Sequence, residues 1–186
     1  MSVRIIAGQW RARKLQVPAG ETTRPTADRT RETLFSMLVS RLGSFEGLSV
    51  ADLFAGSGAL GFEALSRGAA SCIFVEQDAA AIRALRSNIA NLQAAPQCDV
   101  RAASVLSLGP VKAPLDLVLL DPPYQTGAGE VALGKLQRLG WIGPATWISL
   151  ETAYNETPTV KGLDMIADRK VGKARISLLR TAPAPG

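Results

Sequence analysis

Apolar segments of two kinds alternate along most of the chain. Short, nearly continuous apolar runs predict buried strands at residues 48–54, 71–76, 99–103, 115–120 and 146–151. Segments with apolar residues at three- and four-residue spacing predict helices that begin near Thr26 and cover residues 59–67, 79–92 and 130–139. Strands and helices that alternate in this way are typical of an α/β protein with helices on both faces of a mainly parallel sheet.

The two ends of the chain carry weaker patterns. Residues 163–169 and 174–180 predict a closing β-hairpin across Val171-Gly172-Lys173. Residues 1–25 are polar and basic, and they predict an extension with a short hairpin around Pro18-Ala19-Gly20. Thr26 or Asp28 is expected to cap the first long helix, and Asp78 is expected to cap the helix over residues 79–92. We therefore expect one domain over residues 1–186, with a basic N-terminal extension.

Length and composition exclude several classes of protein. The 186 residues, 47% of them hydrophobic, suffice for one buried core. The chain has no histidine, which excludes histidine-based catalysis and nearly all transition-metal sites, so we expect no metal. Cys72 and Cys98 lie in apolar strands and are expected to be buried free thiols. No apolar run approaches the ~20 residues of a membrane span, and we expect a soluble cytoplasmic protein with no membrane partner.

The net charge of +5 is unevenly distributed. Residues 1–35 hold seven Arg and Lys against three Asp and Glu, residues 36–160 hold eight against eleven, and residues 161–186 hold six against two. A mildly acidic middle is therefore flanked by two basic ends. Basic ends suit contact with a polyanion such as nucleic acid, although charge alone is equally consistent with a basic surface that has no partner.

A glycine-rich turn follows the first buried strand. Residues 52–61 read Asp-Leu-Phe-Ala-Gly-Ser-Gly-Ala-Leu-Gly, which contains G-x-G-x-x-G and leads into a helix, and Glu76 ends the next strand. Glycines let the backbone approach a ligand closely, and a carboxylate at the tip of the second strand can accept two ribose hydroxyls. The combination predicts a cofactor that contains adenosine.

Two cofactors compete for this turn. A dinucleotide places its pyrophosphate at the helix N-terminus, whereas S-adenosylmethionine has no phosphate and carries an ammonium and a sulfonium. Asp52, just before the glycines, is a poor neighbour for a pyrophosphate and a good one for an ammonium. The turn therefore favours S-adenosylmethionine and leaves a dinucleotide as the alternative.

The strip Asp121-Pro122-Pro123-Tyr124 follows the apolar run 115–120. Ligands of open α/β sheets bind outside the carboxyl ends of the strands, so the strip is expected to face the same crevice as the glycine turn. The Asp121 carboxylate and the Pro122 carbonyl can accept the two N–H groups of an exocyclic amine, and the Tyr124 ring can stack on the base. The strip thus predicts methylation of a nucleobase amine, on guanine or adenine, unless it is only a turn that ends the strand.

The glycine turn and Asp-Pro-Pro-Tyr together resemble the class I, Rossmann-like amino-methyltransferases. Residues 4–15 read Arg-Ile-Ile-Ala-Gly-Gln-Trp-Arg-Ala-Arg-Lys-Leu, and residues 23–35 read Thr-Arg-Pro-Thr-Ala-Asp-Arg-Thr-Arg-Glu-Thr-Leu-Phe. More narrowly, these two segments resemble the RsmD family of bacterial 16S rRNA guanine-N2 methyltransferases. The resemblance runs from residue 4 to the closing hairpin, with the motifs in the family's order and spacing.

This resemblance implies a fold, a reaction and a set of site residues. The fold is a mainly parallel seven-stranded sheet with an antiparallel last strand and helices on both faces. The reaction is S-adenosylmethionine-dependent methylation of a guanine N2 amine in 16S rRNA, within the 30S subunit or an assembly intermediate, and we expect a monomer. The implied catalytic residues are Asp121, Pro122 and Tyr124; the methyl-donor residues are Asp52, Phe54, Gly56, Gly58, Glu76, Gln77, Ala103, Ser104, Thr26 and Arg31; the RNA-binding residues are Arg11, Arg13, Lys14 and Arg24.

Two positions depart from the family pattern. Many relatives carry an acidic residue after the third strand, where it accepts the adenine amino group, but this chain has Ser104. Adenine is then expected to be read mainly by the backbone near Ala103 and Ser104, with modest affinity for the methyl donor. Ala12 replaces a glycine of the basic motif.

Three other functions stay open. Adenine-N6 methylation of DNA is served by the same strip, but these 186 residues hold no sizeable target-recognition domain. A non-catalytic RNA-binding assembly factor is disfavoured by the intact Asp121, Pro122 and Tyr124. An NAD-dependent oxidoreductase needs a catalytic proton donor that this histidine-free sequence does not display.

Overall fold

The computed structural model describes residues 3–19, 21 and 25–184, and of residues 25 and 26 only the backbone. The strands are β1 (Val3–Arg4), β2 (Lys14–Leu15), β3 (Ser49–Leu53), β4 (Ser71–Glu76), β5 (Cys98–Ala102), β6 (Leu117–Leu120), β7 (Trp147–Ala153), β8 (Leu163–Val171) and β9 (Ala174–Thr181). The helices are α1 (Pro25–Leu42), α2 (Ala59–Ser66), α3 (Ala79–Leu92) and α4 (Ala128–Arg138), with 3₁₀ turns at Ala95–Gln97 and Val105–Ser107. Within these described residues, no helix combines the length and apolar character that crossing a membrane requires.

Seven strands form one sheet in the order β5-β4-β3-β6-β7-β9-β8. The pairs among β3, β4, β5, β6 and β7 are parallel, whereas β9 runs antiparallel to both of its neighbours, β7 and β8. The predicted α/β fold with an antiparallel last strand is therefore confirmed. The strand order reverses between β3 and β6, which is the position where open sheets form a ligand crevice outside the strands' carboxyl ends.

Apolar side chains cover both faces of the sheet. In β6, Leu117 and Leu119 belong to the core on one face, and Val118 and Leu120 belong to the core on the other. All four are at most 1% exposed, which explains why the sequence of this strand is continuously apolar. Helices α1, α2 and α3 pack on the first face, and α4 packs on the second.

The helix starts agree with the predictions in one case and differ in another. Asp78 caps α3 as predicted, because its carboxylate accepts a hydrogen bond from the Ala81 amide at 2.9 Å. Helix α1 begins at Pro25, so Asp28 lies in its first turn and the prediction that Asp28 caps it is wrong. Proline suits a first helical position because the amide hydrogen it lacks would have no intrahelical partner there. The Thr26 side chain lies outside the described residues.

The N-terminal hairpin lies earlier than predicted. β1 pairs antiparallel with β2, and hydrogen bonds between Ile5 and the segment at residues 12–13 continue the pairing. A turn does close at Pro18, whose carbonyl accepts the Glu21 amide at 3.1 Å, but no strands pair across it in the described part of the chain, and Gly20 lies outside that part. The proline signalled this turn correctly. The position of the strands follows instead from burial of apolar side chains on the main body.

The N-terminal segment is fixed to the main body by a buried carboxylate on α2. Glu63 is fully buried and accepts hydrogen bonds from the amides of Ile6 at 2.8 Å and Ala7 at 3.1 Å. The Arg67 guanidinium lies 2.9 Å from the same carboxylate and balances its charge. A buried charge is tolerated only when it is paired and hydrogen-bonded in this way. The backbone of the segment is therefore attached directly to α2.

The two cysteines are free thiols, as predicted, but only one is buried. Cys72 on β4 is 1% exposed, whereas Cys98, its register partner on β5, is half-buried. Burial raises the pKa of Cys98 to about 12 and holds the pKa of Cys72 well above its ordinary value. Neither thiol is ionised near neutral pH, so neither suits nucleophilic chemistry.

Candidate active site

An open cavity of about 1140 Å³ lies at the carboxyl ends of β3, β6 and β7. Its walls come from the glycine turn after β3, the Asp-Pro-Pro-Tyr strip after β6, the loop after β7, the β8–β9 turn and the first turns of α1. Val3 and Val17 add the N-terminal segment to the wall. The cavity thus brings the glycine turn and the strip together, at the edge where strand order predicts a ligand.

The glycine turn exposes backbone to this cavity. Phe54 and Gly56 both have a φ of 58°, which is strained for the bulky phenylalanine and is found mainly at functional positions. A β-carbon on Gly58 would lie 2.5 Å from the Phe62 ring, so only glycine fits there. A β-carbon on Gly56 would meet none of the described atoms within 4 Å, because this residue faces the cavity. A ligand can therefore approach the backbone closely at Gly56.

Glu76 connects the tip of β4 to the glycine turn. One carboxylate oxygen accepts the Gly56 amide at 2.8 Å, and the other accepts the amides of Gln77 and Asp78 at 2.9 Å each. Three backbone donors therefore hold this carboxylate in place, and the oxygen that accepts only the Gly56 amide keeps a free lone pair for a ligand hydroxyl. This arrangement fits the predicted ribose contact, which stays a prediction.

The remaining predicted adenosine contacts lie together at the neighbouring strand end. The Ala103 amide donates to the Glu76 carbonyl at 3.0 Å, so the ends of β4 and β5 are joined. The Ser104 hydroxyl oxygen accepts the Leu106 amide at 3.2 Å and starts the 3₁₀ turn that follows. Glu76, Gln77, Ala103 and Ser104 lie beside the cavity rather than in its walls. Glu76 links the two areas through Gly56.

Asp52 is buried in β3, just before the glycine turn. It is 1% exposed, contributes to the cavity wall, and accepts the Gly61 amide at 2.9 Å in the first turn of α2. Burial raises the pKa of Asp52 to about 8, with a further rise from Glu76, although the Gly61 hydrogen bond opposes it. A cation at this wall of the cavity would stabilise the ionised carboxylate. The residues present therefore fit a ligand that combines a positive charge with a ribose.

The Asp-Pro-Pro-Tyr strip continues directly from the buried strand β6. Pro122 is buried against Gly129 in the first turn of α4, and the Pro123 carbonyl accepts the Thr126 hydroxyl at 2.8 Å. Asp121 and Tyr124 both line the cavity, and Tyr124 is 41% exposed. The structure therefore brings the two predicted side chains of the strip to one wall, on a backbone fixed at both ends.

Glu151 on β7 is a site residue that the sequence interpretation missed. The Tyr124 hydroxyl donates a hydrogen bond to the Glu151 carboxylate, and the Asp121 and Glu151 carboxyl groups are also hydrogen-bonded to each other. All three side chains line the cavity. The parallel register explains the contact, because Leu120 pairs with Leu150 and the next residue on each strand is acidic. That register was the available signal for Glu151.

Two carboxyl groups in contact cannot both ionise easily. Asp121 lies at the wall of the open cavity, so solvent reaches it while protein atoms surround it. These surroundings, and then the neighbouring Glu151 carboxylate, raise the pKa of Asp121 well above its ordinary value. Burial also raises the pKa of Glu151, against hydrogen bonds from Tyr124 and Asp121 that lower it. The pair therefore binds a proton more readily than two isolated carboxylates do.

The other predicted residues occupy different surroundings. Arg31 lines the cavity, but its guanidinium donates to the Arg4 carbonyl at 2.7 Å and lies 3.4 Å from Asp28. It thus joins α1 to the N-terminal segment. Arg11, Arg13 and Lys14 are exposed on that segment, whereas Arg24 lies outside the described residues. RNA contact by these basic residues stays a prediction.

Comparison with known proteins agrees with this geometry. The model of a family described as "Conserved hypothetical protein 95" matches residues 3–180. The chain is 42% identical over 159 residues to "Ribosomal RNA small subunit methyltransferase D" of Escherichia coli (strain K12), covering 85% of this chain and 79% of that one. The Haemophilus influenzae protein of the same name is 42% identical over 158 residues, covering 81% and 78%. A solved structure from Escherichia coli, "Putative methyltransferase yhhF", superposes with a TM-score of 0.84 at 36% identity, covering 97% of this chain and 98% of that one.

The buried Asp52 predicts that binding of S-adenosylmethionine releases a proton. A cationic ligand favours the ionised carboxylate, so it lowers a pKa that stands at about 8 in the free protein. At pH 7 we expect the wild type to release up to about one proton more than Asp52→Asn, whose amide oxygen still accepts the Gly61 hydrogen bond. Titration calorimetry in phosphate and in Tris counts these protons, and the variant cancels any titration of the ligand's own amine. Equal proton counts for both proteins would show that no cation lies beside Asp52.

Proposed function

This chain belongs to the RsmD family of class I methyltransferases, which take their methyl group from S-adenosylmethionine, and we propose that it methylates the N2 amine of a guanine in 16S ribosomal RNA. The observation that carries the proposal is the contact between Asp121, Glu151 and Tyr124 in the cavity beside the glycine turn. The small-subunit rRNA substrate follows from the names of the relatives.

The strip acts on the amine by orienting it. The Asp121 carboxylate and the Pro122 carbonyl accept its two N–H groups, which turns the nitrogen lone pair away from the ring system and toward the methyl donor. The Tyr124 ring stacks on the base, and its hydrogen bond to Glu151 fixes the plane in which it does so. Holding the reacting groups in one geometry is itself a large part of the rate enhancement.

The same carboxylate provides a proton acceptor. When bound, S-adenosylmethionine would supply an electrophilic methyl group and would leave as the neutral thioether, because its sulfur–methyl bond breaks. The amine nitrogen forms the new N–C bond and has to give up one proton, which the Asp121 carboxylate oxygen accepts. A pKa above the ordinary aspartate value makes Asp121 a stronger base than an exposed aspartate, and a better match to neutral pH.

The second carboxylate favours guanine over adenine. Guanine presents an N1–H donor beside its N2 amine, whereas adenine presents an N1 acceptor beside its N6 amine, and flipped bases are read along this edge. Asp121 and Glu151 lie next to each other in the cavity wall, and in their ionised form they together supply acceptors for two adjacent donors. The N1 acceptor of adenine would face a carboxylate oxygen with no proton between them, and two such acceptors repel each other.

Glu151→Gln is predicted to shift the pH dependence of methylation toward acid. Asp121 has to be ionised to accept the amine hydrogens, so kcat/KM falls as the pH drops through its raised pKa. The substitution removes the neighbouring negative charge and lowers the pKa of Asp121, while the glutamine oxygen still accepts the Tyr124 hydroxyl. We expect the acid limb of kcat/KM to move to lower pH, and Glu130→Gln, exposed on α4, to leave it in place. An acid limb that stays put or moves to higher pH in Glu151→Gln would contradict this role.

A substrate panel tests the polymer on which the enzyme acts. Purified protein and labelled S-adenosylmethionine are incubated with 30S particles from a strain that lacks the gene, with naked 16S rRNA, with tRNA and with DNA. We expect label in 30S particles or 16S rRNA. Asp121→Asn should lower kcat by at least about 100-fold while donor binding changes little, because the general base is lost but the glycine turn is not; Asp164→Asn, on the exposed face of β8, serves as the matched control.

Two results of the panel would contradict the proposal. Label confined to DNA or tRNA would overturn the substrate. Donor binding without label in any polymer would favour a non-catalytic RNA-binding assembly factor that retains the fold.

A further inference from the structure

A second aromatic side chain, that of Tyr154, lines the cavity from the loop after β7. The chain has two tyrosines, Tyr124 and Tyr154, and both line this one cavity. Tyr124 is 41% exposed and Tyr154 is 49% exposed, so each presents much of its ring to solvent. The proposed reaction uses Tyr124 and leaves Tyr154 without a role.

The loop that carries Tyr154 is held by the elements on both sides of it. The Tyr154 amide donates to the Lys173 carbonyl at 2.8 Å, which attaches the loop to the β8–β9 turn. The Glu156 carboxylate accepts the Ala153 amide at 2.7 Å and the Gln125 amide at 3.2 Å. Glu156 therefore connects the Tyr154 loop to the residue that follows Tyr124. The two tyrosines are placed relative to each other before any ligand binds.

Lys173 adds a positive charge beside Tyr154. It is exposed at the β8–β9 turn and lines the cavity. Among the described residues, none of the salt bridges involves it. The deeper wall is acidic, with Asp52, Asp121 and Glu151. The cavity therefore has carboxyl groups where the amine is methylated and a lysine at this rim.

We propose that Tyr154 and Lys173 form a second nucleotide subsite, which binds the residue of single-stranded RNA next to the target guanine. The inference rests on the proposed function and extends it. The Tyr154 ring stacks on the neighbouring base, and the Lys173 ammonium contacts a backbone phosphate. Exposed aromatic rings alternating with basic groups are the usual means of holding a single strand without reading its sequence. A target base extruded into the cavity brings its neighbours to this rim.

The first test compares two variants with the wild type in binding and in turnover. Binding is measured by fluorescence anisotropy with a labelled, guanine-containing single-stranded RNA oligonucleotide, and turnover is measured as kcat and KM for the 30S particle. Tyr154→Ala should raise both the Kd for the oligonucleotide and the KM for the 30S particle by about 5- to 150-fold. This is the range expected for the loss of one stacked base. Tyr154→Phe keeps the ring and should stay within about twofold of the wild type. The kcat at saturating RNA and the affinity for S-adenosylmethionine should not change, which also verifies folding.

The second test addresses the lysine through salt. Lys173→Gln should reduce the slope of log Kd for the oligonucleotide against log salt by roughly 0.7, which is the value expected for the loss of one phosphate contact. Lys170→Gln, exposed on β8 outside the cavity wall, removes the same charge and should leave the slope unchanged.

The outcomes separate this inference from the proposed function. Unchanged oligonucleotide binding in Tyr154→Ala overturns the subsite, whether or not the wild type methylates RNA. Equal losses in Tyr154→Ala and Tyr154→Phe overturn stacking. A raised KM for 30S particles with normal oligonucleotide binding assigns the rim to a ribosomal protein and overturns an RNA subsite. Failure of the wild type to methylate any RNA overturns the function alone, because the binding comparison still decides the subsite.

Discussion

The parallel register of β3, β6 and β7 is the constraint on which the site depends. Leu53 pairs with Leu120, and Leu120 pairs with Leu150, so β3 and β6 end at the level of Leu150 in β7. The next residues of β6 and β7 are then Asp121 and Glu151, and the glycine turn follows β3. Two carboxyl groups that repel each other when ionised are held in contact because the strands that carry them are buried on both faces. The raised pKa values of both carboxyl groups follow from this placement.

The N-terminal segment also contributes to the site. Glu63 and Arg67 on α2 hold its backbone, and Arg31 on α1 binds it from the other side. Val3 and Val17 then form part of the cavity wall. The basic residues Arg11, Arg13 and Lys14 are consequently carried on a segment that is fixed relative to the catalytic strip. A rigid basic surface beside a deep acidic pocket suits a substrate that is anionic along its backbone and offers an amine at its base edge.

The sequence alone was sufficient to predict the structural elements whose signals are local. Continuous apolar runs located the parallel strands because both faces of each strand are buried, and Asp78 identified the start of α3 because capping is a contact within one turn. The residues that it missed are defined by contacts distant in sequence. The position of Glu151 in the site can be recognised only once β7 is paired with β6. That of Tyr154 can be recognised only once the β8–β9 turn lies against it. The hairpin was misplaced for the same reason, since its position depends on what Ile5 and Leu15 bury and not on its own turn residues.

The most direct measurement is the identity of the methylated nucleoside. 16S rRNA that has been incubated with the protein and S-adenosylmethionine carrying a deuterated methyl group is digested to nucleosides and analysed by mass spectrometry. We expect to recover the deuterated methyl group in N2-methylguanosine, and Asp121→Asn should abolish this product. Recovery in N6-methyladenosine would contradict the reading of Asp121 and Glu151 as acceptors for two neighbouring guanine donors, and absence of label from the RNA would contradict the proposed reaction itself.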